Sequence, residues 1–142
     1  MSSTNGFQIV VGIDGSASSL SALKWAVTEA RLRQARIRMV TAWQYPATGL
    51  DVNGPTWDFV AFEQDARTLQ DEALKSVDSE GTSIDGEIRQ GPSALVLLDA
   101  SKDADLLIVG SRGRGGFTGL LLGSVSTQIV HHATCPVLII RD

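Results

Sequence analysis

The densest chemistry in this 142-residue chain lies in residues 110–126, GSRGRGGFTGLLLGSVS. Five glycines fall between positions 110 and 119, and Gly123 follows. Glycine lets a backbone come close to a ligand, and successive N–H groups can then point into one space. The segment begins after the apolar run LLIV at 106–109 and ends where a helix is expected to start. A helix start adds unpaired amides and the positive end of the macrodipole, a setting suited to phosphate. Arg112 and Arg114 would add positive charge, and the hydroxyls of Ser124 and Ser126 would donate to phosphate oxygens. The competing reading is a surface loop whose glycines only make turns.

The best-known phosphate motifs do not fit. A P-loop needs Gly-Lys-Ser/Thr after its glycines, and the chain has no lysine beyond Lys102. In the dinucleotide fingerprint the third glycine position is Thr118. No serine stands in G-x-S-x-G, so there is no nucleophile elbow. Asp14, in the turn Asp14-Gly15-Ser16, either braces that turn or meets a ligand. Like charges repel, so a carboxylate beside phosphates needs a reason to be there. Bonds to ribose hydroxyls, or a Mg²⁺ shared with the phosphates, would supply one. His131 and His132 are adjacent on a helix, point apart, and suit its last turn rather than a metal. Cys135 has no partner thiol and reads as a small core residue.

These residues need a frame to hold them. Residues 8–13, QIVVGI, form a continuous apolar run rich in β-branched residues, which predicts a strand buried on both faces. Leu20, Leu23, Val27 and Ala30 follow at helical spacing, with Ser18 or Ser19 as N-cap and an end near Gln34. Trp25 lies off that stripe. A second strand is predicted over 37–43, then a loop over 44–57, long enough to be functional or mobile. A polar helix over about 58–80 ends at Gly81, its acidic residues on a solvated face. Residues 83–90 alternate Ile84, Gly86 and Ile88 with charges, as an edge strand with one wet face does. Gly91-Pro92 opens a third helix, with Pro92 in its first turn. Residues 106–109 form a buried strand, a fourth helix ends near His132, and Pro136 precedes a final strand at 137–140. Strands alternating with helices predict a single α/β domain over residues 1–142, a parallel sheet with helices on both faces. Ligands of such sheets sit beyond the carboxyl ends of the strands, where the strand order reverses.

Composition narrows the functions. Twelve basic against sixteen acidic residues leave a net charge of −4, which disfavours nucleic acid as a partner. No apolar stretch is long enough to span a membrane. Residues 1–6 are polar, lack the apolar centre of a signal peptide and read as a flexible N-terminus. The chain is therefore expected to be soluble and cytoplasmic.

Gly110-x2-Gly113-x9-Gly123-Ser124 resembles the ATP-binding signature G-x2-G-x9-G-(S/T) of the universal stress protein family. The resemblance extends over most of the chain: VGIDGS at 11–16, ALKWA at 22–26, ADLLIVGSRGRGG at 104–116 and HHATCPVLII at 131–140. It implies a single open, twisted, five-stranded parallel sheet of Rossmann-like type in the order 3-2-1-4-5, with a nucleotide between strands 1 and 4. Carried over residue by residue, it places Gly12, Ile13 and Asp14 beside the nucleotide and Ala42 against adenine. It puts Val109 and Gly110 at the end of strand 4, and Gly113, Gly123, Ser124, Val125 and Ser126 on phosphate and ribose. Ala42 is smaller than the valine often found at its position. Arg112 and Arg114 lie outside the signature.

The implied function is an ATP-binding stress regulator or sensor, read by a protein partner that the sequence does not identify. The alternatives are a cyclic-AMP binder and an enzyme acting on ATP. The Ser-Gly-Gly-x-Asp-Ser loop of ATP pyrophosphatases is absent, so at most slow hydrolysis or autophosphorylation is expected. Val137, Leu138, Ile139 and Ile140 would form an apolar sheet edge, which pairing with a second copy would cover. The resemblance implies a homodimer of that kind.

Overall fold

The computed structural model describes residues 6–44, 59–112 and 122–141. Most of the expected N-terminal tail, nearly all of the expected loop at 44–57, and Gly113 and Arg114 lie outside the described residues. The strands are β1 (Gln8–Gly12), β2 (Arg36–Trp43), β3 (Ser83–Gln90), β4 (Leu106–Gly110) and β5 (Val137–Ile140). The helices are α1 (Ala17–Arg33), α2 (Phe59–Lys75), α3 (Ser93–Ala100) and α4 (Ser124–His132). All strand pairs are parallel and the order is β3-β2-β1-β4-β5, as expected. Val11 of central β1 pairs with Met39 of β2 and Ile108 of β4. The order reverses between β1 and β4, so that their carboxyl ends diverge.

The continuous apolar run of β1 feeds two cores. Ile9, Val11 and Ile13 pack under Leu23, Ala26, Val27 and Ala30 of α1. Val10 faces the other layer, with Val40, Leu107 and Val109 from the sheet, Val96 and Leu97 from α3 and Ile129 from α4. Trp25, off the stripe, is half exposed. Among the described residues no helix is long and apolar enough to cross a membrane.

Three boundaries differ from expectation. Ser16, rather than Ser18 or Ser19, caps α1, its hydroxyl accepting the Ser19 amide at 3.1 Å. Gly15, at φ +85°, turns the chain early enough for the helix to begin at Ala17, which buries Ser18 and Ser19. α2 stops at Lys75, short of 80. The Ser76 hydroxyl donates back to the Ala73 carbonyl at 2.6 Å, and the Asp78 carboxylate accepts the Glu80 amide at 3.2 Å. Such local bonds compete with helix continuation. Pro92 is the N-cap of α3, one position earlier than expected.

α2 is fastened to the sheet by a buried amide. Gln70 Nε2 donates toward the Thr41 hydroxyl at 3.0 Å, the Glu87 carbonyl at 2.9 Å and the Met39 carbonyl at 3.2 Å. Gly86 makes the room: a Cβ there would land on the Gln70 amide oxygen. Nearby, the Trp43 ring stacks on Phe62 with centroids 6.1 Å apart. On the opposite face of β3, the expected wet face carries ion pairs. Arg89 reaches Glu87 and, at 2.8 Å, Asp99 of α3, while Arg38 lies 3.5 Å from Glu87.

Candidate functional site

A cleft opens at the carboxyl ends of β1, β2 and β4. Gly12, Ile13 and Asp14 form its floor, Ala42 and Val40 one side, and Val109, Gly110, Arg112, Val125 and Ser126 the other. Ser19, Ser93 and Leu97 complete the lining. The cleft sits at the β1/β4 reversal, where the parallel-sheet rule puts a ligand.

The floor is set by the exit of β1. The Ile13 amide donates to the Val40 carbonyl at 3.0 Å, and the Ile13 carbonyl accepts the Thr41 hydroxyl at 2.8 Å. β1 is thus held to β2 one residue beyond its end, and the next side chain, Asp14, faces the cleft. Asp14 Oδ1 accepts the Ser16 amide at 2.9 Å, and the Asp14 amide donates to Ser19 Oγ at 3.3 Å. Asp14 therefore braces its turn, as one of the two sequence readings has it, and also lines the cleft.

Gly110 answers to packing. It does not have a positive φ, but a Cβ there would stand 2.7 Å from both the Cβ and the carbonyl carbon of Ser18. β4 and the first turn of α1 touch at this point, and only hydrogen fits between them. At Gly12 the neighbour of an added Cβ would be the end of the Leu97 side chain, at 2.9 Å.

The exit of β4 and the entry of α4 are tied together. The Ser111 carbonyl accepts the Gly123 amide at 2.6 Å and the Ser126 hydroxyl at 2.9 Å, and the Ser111 amide donates to the Ile140 carbonyl at 2.8 Å. The Ser126 hydroxyl also lies 3.2 Å from the Gly110 carbonyl, so its one proton is engaged within the fold. Gly123 is the N-cap of α4, at φ −74°, and supplies no side-chain cap; Pro92 supplies none to α3. Among the described residues, the first amides of these helices receive no side-chain cap. Ser124 is exposed at the first position of α4, beside rather than within the lining. Arg112 is exposed at the rim, its amide 3.4 Å from Ser18 Oγ.

The structure thus brings together Gly12, Ile13, Asp14, Ala42, Val109, Gly110, Arg112, Val125 and Ser126, with Gly123 and Ser124 at the adjoining helix start. Gly113 lies outside the described residues. Sequence reasoning missed Ser19, Val40, Ser93 and Leu97 as lining residues. Val40 was detectable as the residue two before Ala42, on the same face of β2. Ser93 and Leu97 are four apart, one helical turn, directly after Gly91-Pro92. Among the described residues no group of three or more His, Cys, Asp or Glu is placed to hold a metal. His131 and His132 occupy the last turn of α4, and Cys135 packs partly buried against the second core.

Residues 7–141 match the universal stress protein family model. A universal stress protein of Mycobacterium tuberculosis (strain H37Rv) is 40% identical over 141 residues, covering 94% of this chain and 47% of its own length. This chain spans about half the length of the curated relatives it matches. Among solved structures, a universal stress protein from Lactobacillus plantarum superposes with a TM-score of 0.75 at 21% identity, covering 96% of this chain and 99% of its own. A universal stress protein solved in complex with cAMP gives a TM-score of 0.69 at 26% identity, covering 96% of this chain and 97% of its own.

Proposed function

The chain belongs to the universal stress protein family, and on that premise we propose that its cleft binds an adenine nucleotide, ATP first, as the sensing step of a stress-response regulator. The observation that carries this reading is the meeting of the β1 and β4 ends with the side-chain-uncapped start of α4 around one cleft. The base lies toward Ile13 and Ala42, on the apolar side. The phosphates lie toward Gly110, Gly123 and Ser124, where the α4 amides and the helix dipole favour anions. Among the described residues, Asp14 is the single carboxylate of the lining. Mg²⁺ is held by one or two carboxylates together with phosphate oxygens, so Asp14 fits a role as the protein's one ligand to a phosphate-bound Mg²⁺. Its free oxygen also suits ribose hydroxyls.

Nucleotide occupancy acts by favouring one conformation that a protein partner reads, which requires different affinities for the two states. The apolar edge at Val137, Leu138, Ile139 and Ile140 is the proposed homodimer seam. A second reading, cyclic AMP as ligand, draws support from the related protein solved with that nucleotide.

The test is a thermal melt with ATP, AMP, cyclic AMP and GTP added separately, together with analysis of small molecules released on denaturation. A ligand at about 100 times its dissociation constant stabilises by roughly 2.7 kcal/mol. At this size that raises the melting temperature by about 6–11 °C. An adenine nucleotide should give this shift and GTP should not. No shift with any adenine nucleotide would overturn the reading.

A further inference from the structure

Two polar side chains, Thr41 of β2 and Gln70 of α2, are buried between α2 and the sheet. Burying a hydroxyl or an amide is costly unless it is bonded, and here the bonds run in one direction. Gln70 Nε2 lies near the Met39 and Glu87 carbonyls, which only accept, so the nitrogen of the amide and not its oxygen stands there. It therefore donates to Thr41 Oγ1 as well, and the single Thr41 proton is left for the Ile13 carbonyl at 2.8 Å. That carbonyl shares a peptide unit with the Asp14 N–H, which donates to Ser19 Oγ at 3.3 Å. A peptide unit is planar, so bonds to its oxygen and its nitrogen together fix its plane. The plane in turn sets where the Asp14 side chain points. One Asp14 carboxylate oxygen accepts the Ser16 amide, and the other has no partner among the described residues.

We propose that the Thr41 hydroxyl is a positioning group for the cleft. Held from behind by Gln70, it fixes the Ile13–Asp14 peptide and so aims the unpartnered Asp14 oxygen at the nucleotide. This deepens the nucleotide reading and rests on it. Thr41 does not touch the ligand: its side chain stands on the α2 face of β2, while the next residue, Ala42, lines the cleft on the other face. It acts through Asp14. Without the hydroxyl the Ile13 carbonyl loses this anchor and the peptide can tilt. The carboxylate then samples directions that miss the ribose hydroxyls or a phosphate-bound Mg²⁺. Partners one bond removed from a ligating group change affinity by about 10- to 100-fold.

The experiment is a double-mutant cycle read by calorimetric titration with ATP in excess Mg²⁺. Thr41→Val keeps the β-branched shape without the hydroxyl, and Thr41→Ser keeps the hydroxyl. Thr41→Val should weaken ATP by about 10-fold and Thr41→Ser by less than about 2-fold. In an Asp14→Ala background, itself weakened, adding Thr41→Val should weaken ATP by less than about 2-fold, because residues that act as a unit are not additive. An equal Thr41→Val loss in both backgrounds would make the hydroxyl general support for the fold and overturn the proposal. No loss in Thr41→Val, a Thr41→Ser as weak as Thr41→Val, or an Asp14→Ala that binds like wild type would also overturn it, and each would leave the nucleotide site standing. If Thr41→Val lacks a cooperative melt, Ser19→Ala, which cuts the other anchor of the same peptide, takes its place in the cycle: a loss that vanishes with Asp14→Ala supports the positioning, and an equal loss in both backgrounds overturns it. A wild type that binds no ATP would remove the nucleotide reading itself, and the positioning role with it.

Discussion

Gly110→Ala should destabilise the fold through one contact. The added Cβ would lie 2.7 Å from the carbonyl carbon and the Cβ of Ser18, and one of these is backbone. Neither can rotate away, so β4 or the first turn of α1 must move. Forcing an extra carbon into a packed contact costs about 1–3 kcal/mol. Alanine recovers some 0.4–1 kcal/mol by restricting the unfolded chain. The net loss is then on the order of 1–2 kcal/mol, or roughly 2–8 °C in melting temperature at this size. Gly12→Ala is the control, because its added Cβ meets only the movable end of Leu97. Scanning calorimetry on the ligand-free proteins should place Gly110→Ala clearly below Gly12→Ala. Adding Ser18→Ala removes the hydroxyl but leaves both carbons, so the double variant should remain destabilised. If Gly110→Ala melts with wild type, or Ser18→Ala restores it completely, the packing explanation of this glycine is wrong.

Replacing Gln70 with Leu strips the buried donor shared by Thr41, Met39 and Glu87; a loss of about 1–3 kcal/mol in urea unfolding is expected. Leu138→Lys, at the β5 edge, should convert a dimer to monomers by light scattering, and a wild type that is already monomeric would refute the seam. Asp99 has its carboxyl held below the ordinary 3.8 by hydrogen bonds from Lys102 and then Arg89. A depressed carboxylate stabilises above its unfolded pKa, and that contribution fades as pH falls through its folded one. The gap in urea midpoint between wild type and Asp99→Asn should thus be full at pH 7 and close below pH 3.8; a gap that widens in acid would contradict the ion pairing.

Much of the frame was legible because burial writes itself into sequence. β1 and β4 are covered on both faces, and their uninterrupted apolar runs report it. β3 lies at the edge, and its alternation separates Gly86, beneath Gln70, from the charged Glu87 and Arg89. Helix ends were harder to read. The cap at Ser16 depends on Gly15 adopting a left-handed turn, and the early end of α2 depends on Ser76 and Asp78 bonding backwards. Strand-end residues of the cleft followed from the parallel-sheet rule and the family resemblance. Ser93 and Leu97 did not, because only the tertiary placement of α3 over β2 brings them to the cleft.

The bond from the Gly123 amide to the Ser111 carbonyl separates two jobs within the glycine-rich segment. Closing the chain between β4 and α4 falls to residues at its two ends, helped by Ser126 and by the tie from Ser111 to β5. A change of length between these ends leaves those ties in place. Lengthening a loop whose ends are already met costs little, about 0.6 kcal/mol for each doubling. The segment can accordingly be treated as a cassette. Its length and composition are open to redesign for another anion, or to drift in evolution, while the domain that carries it stays folded.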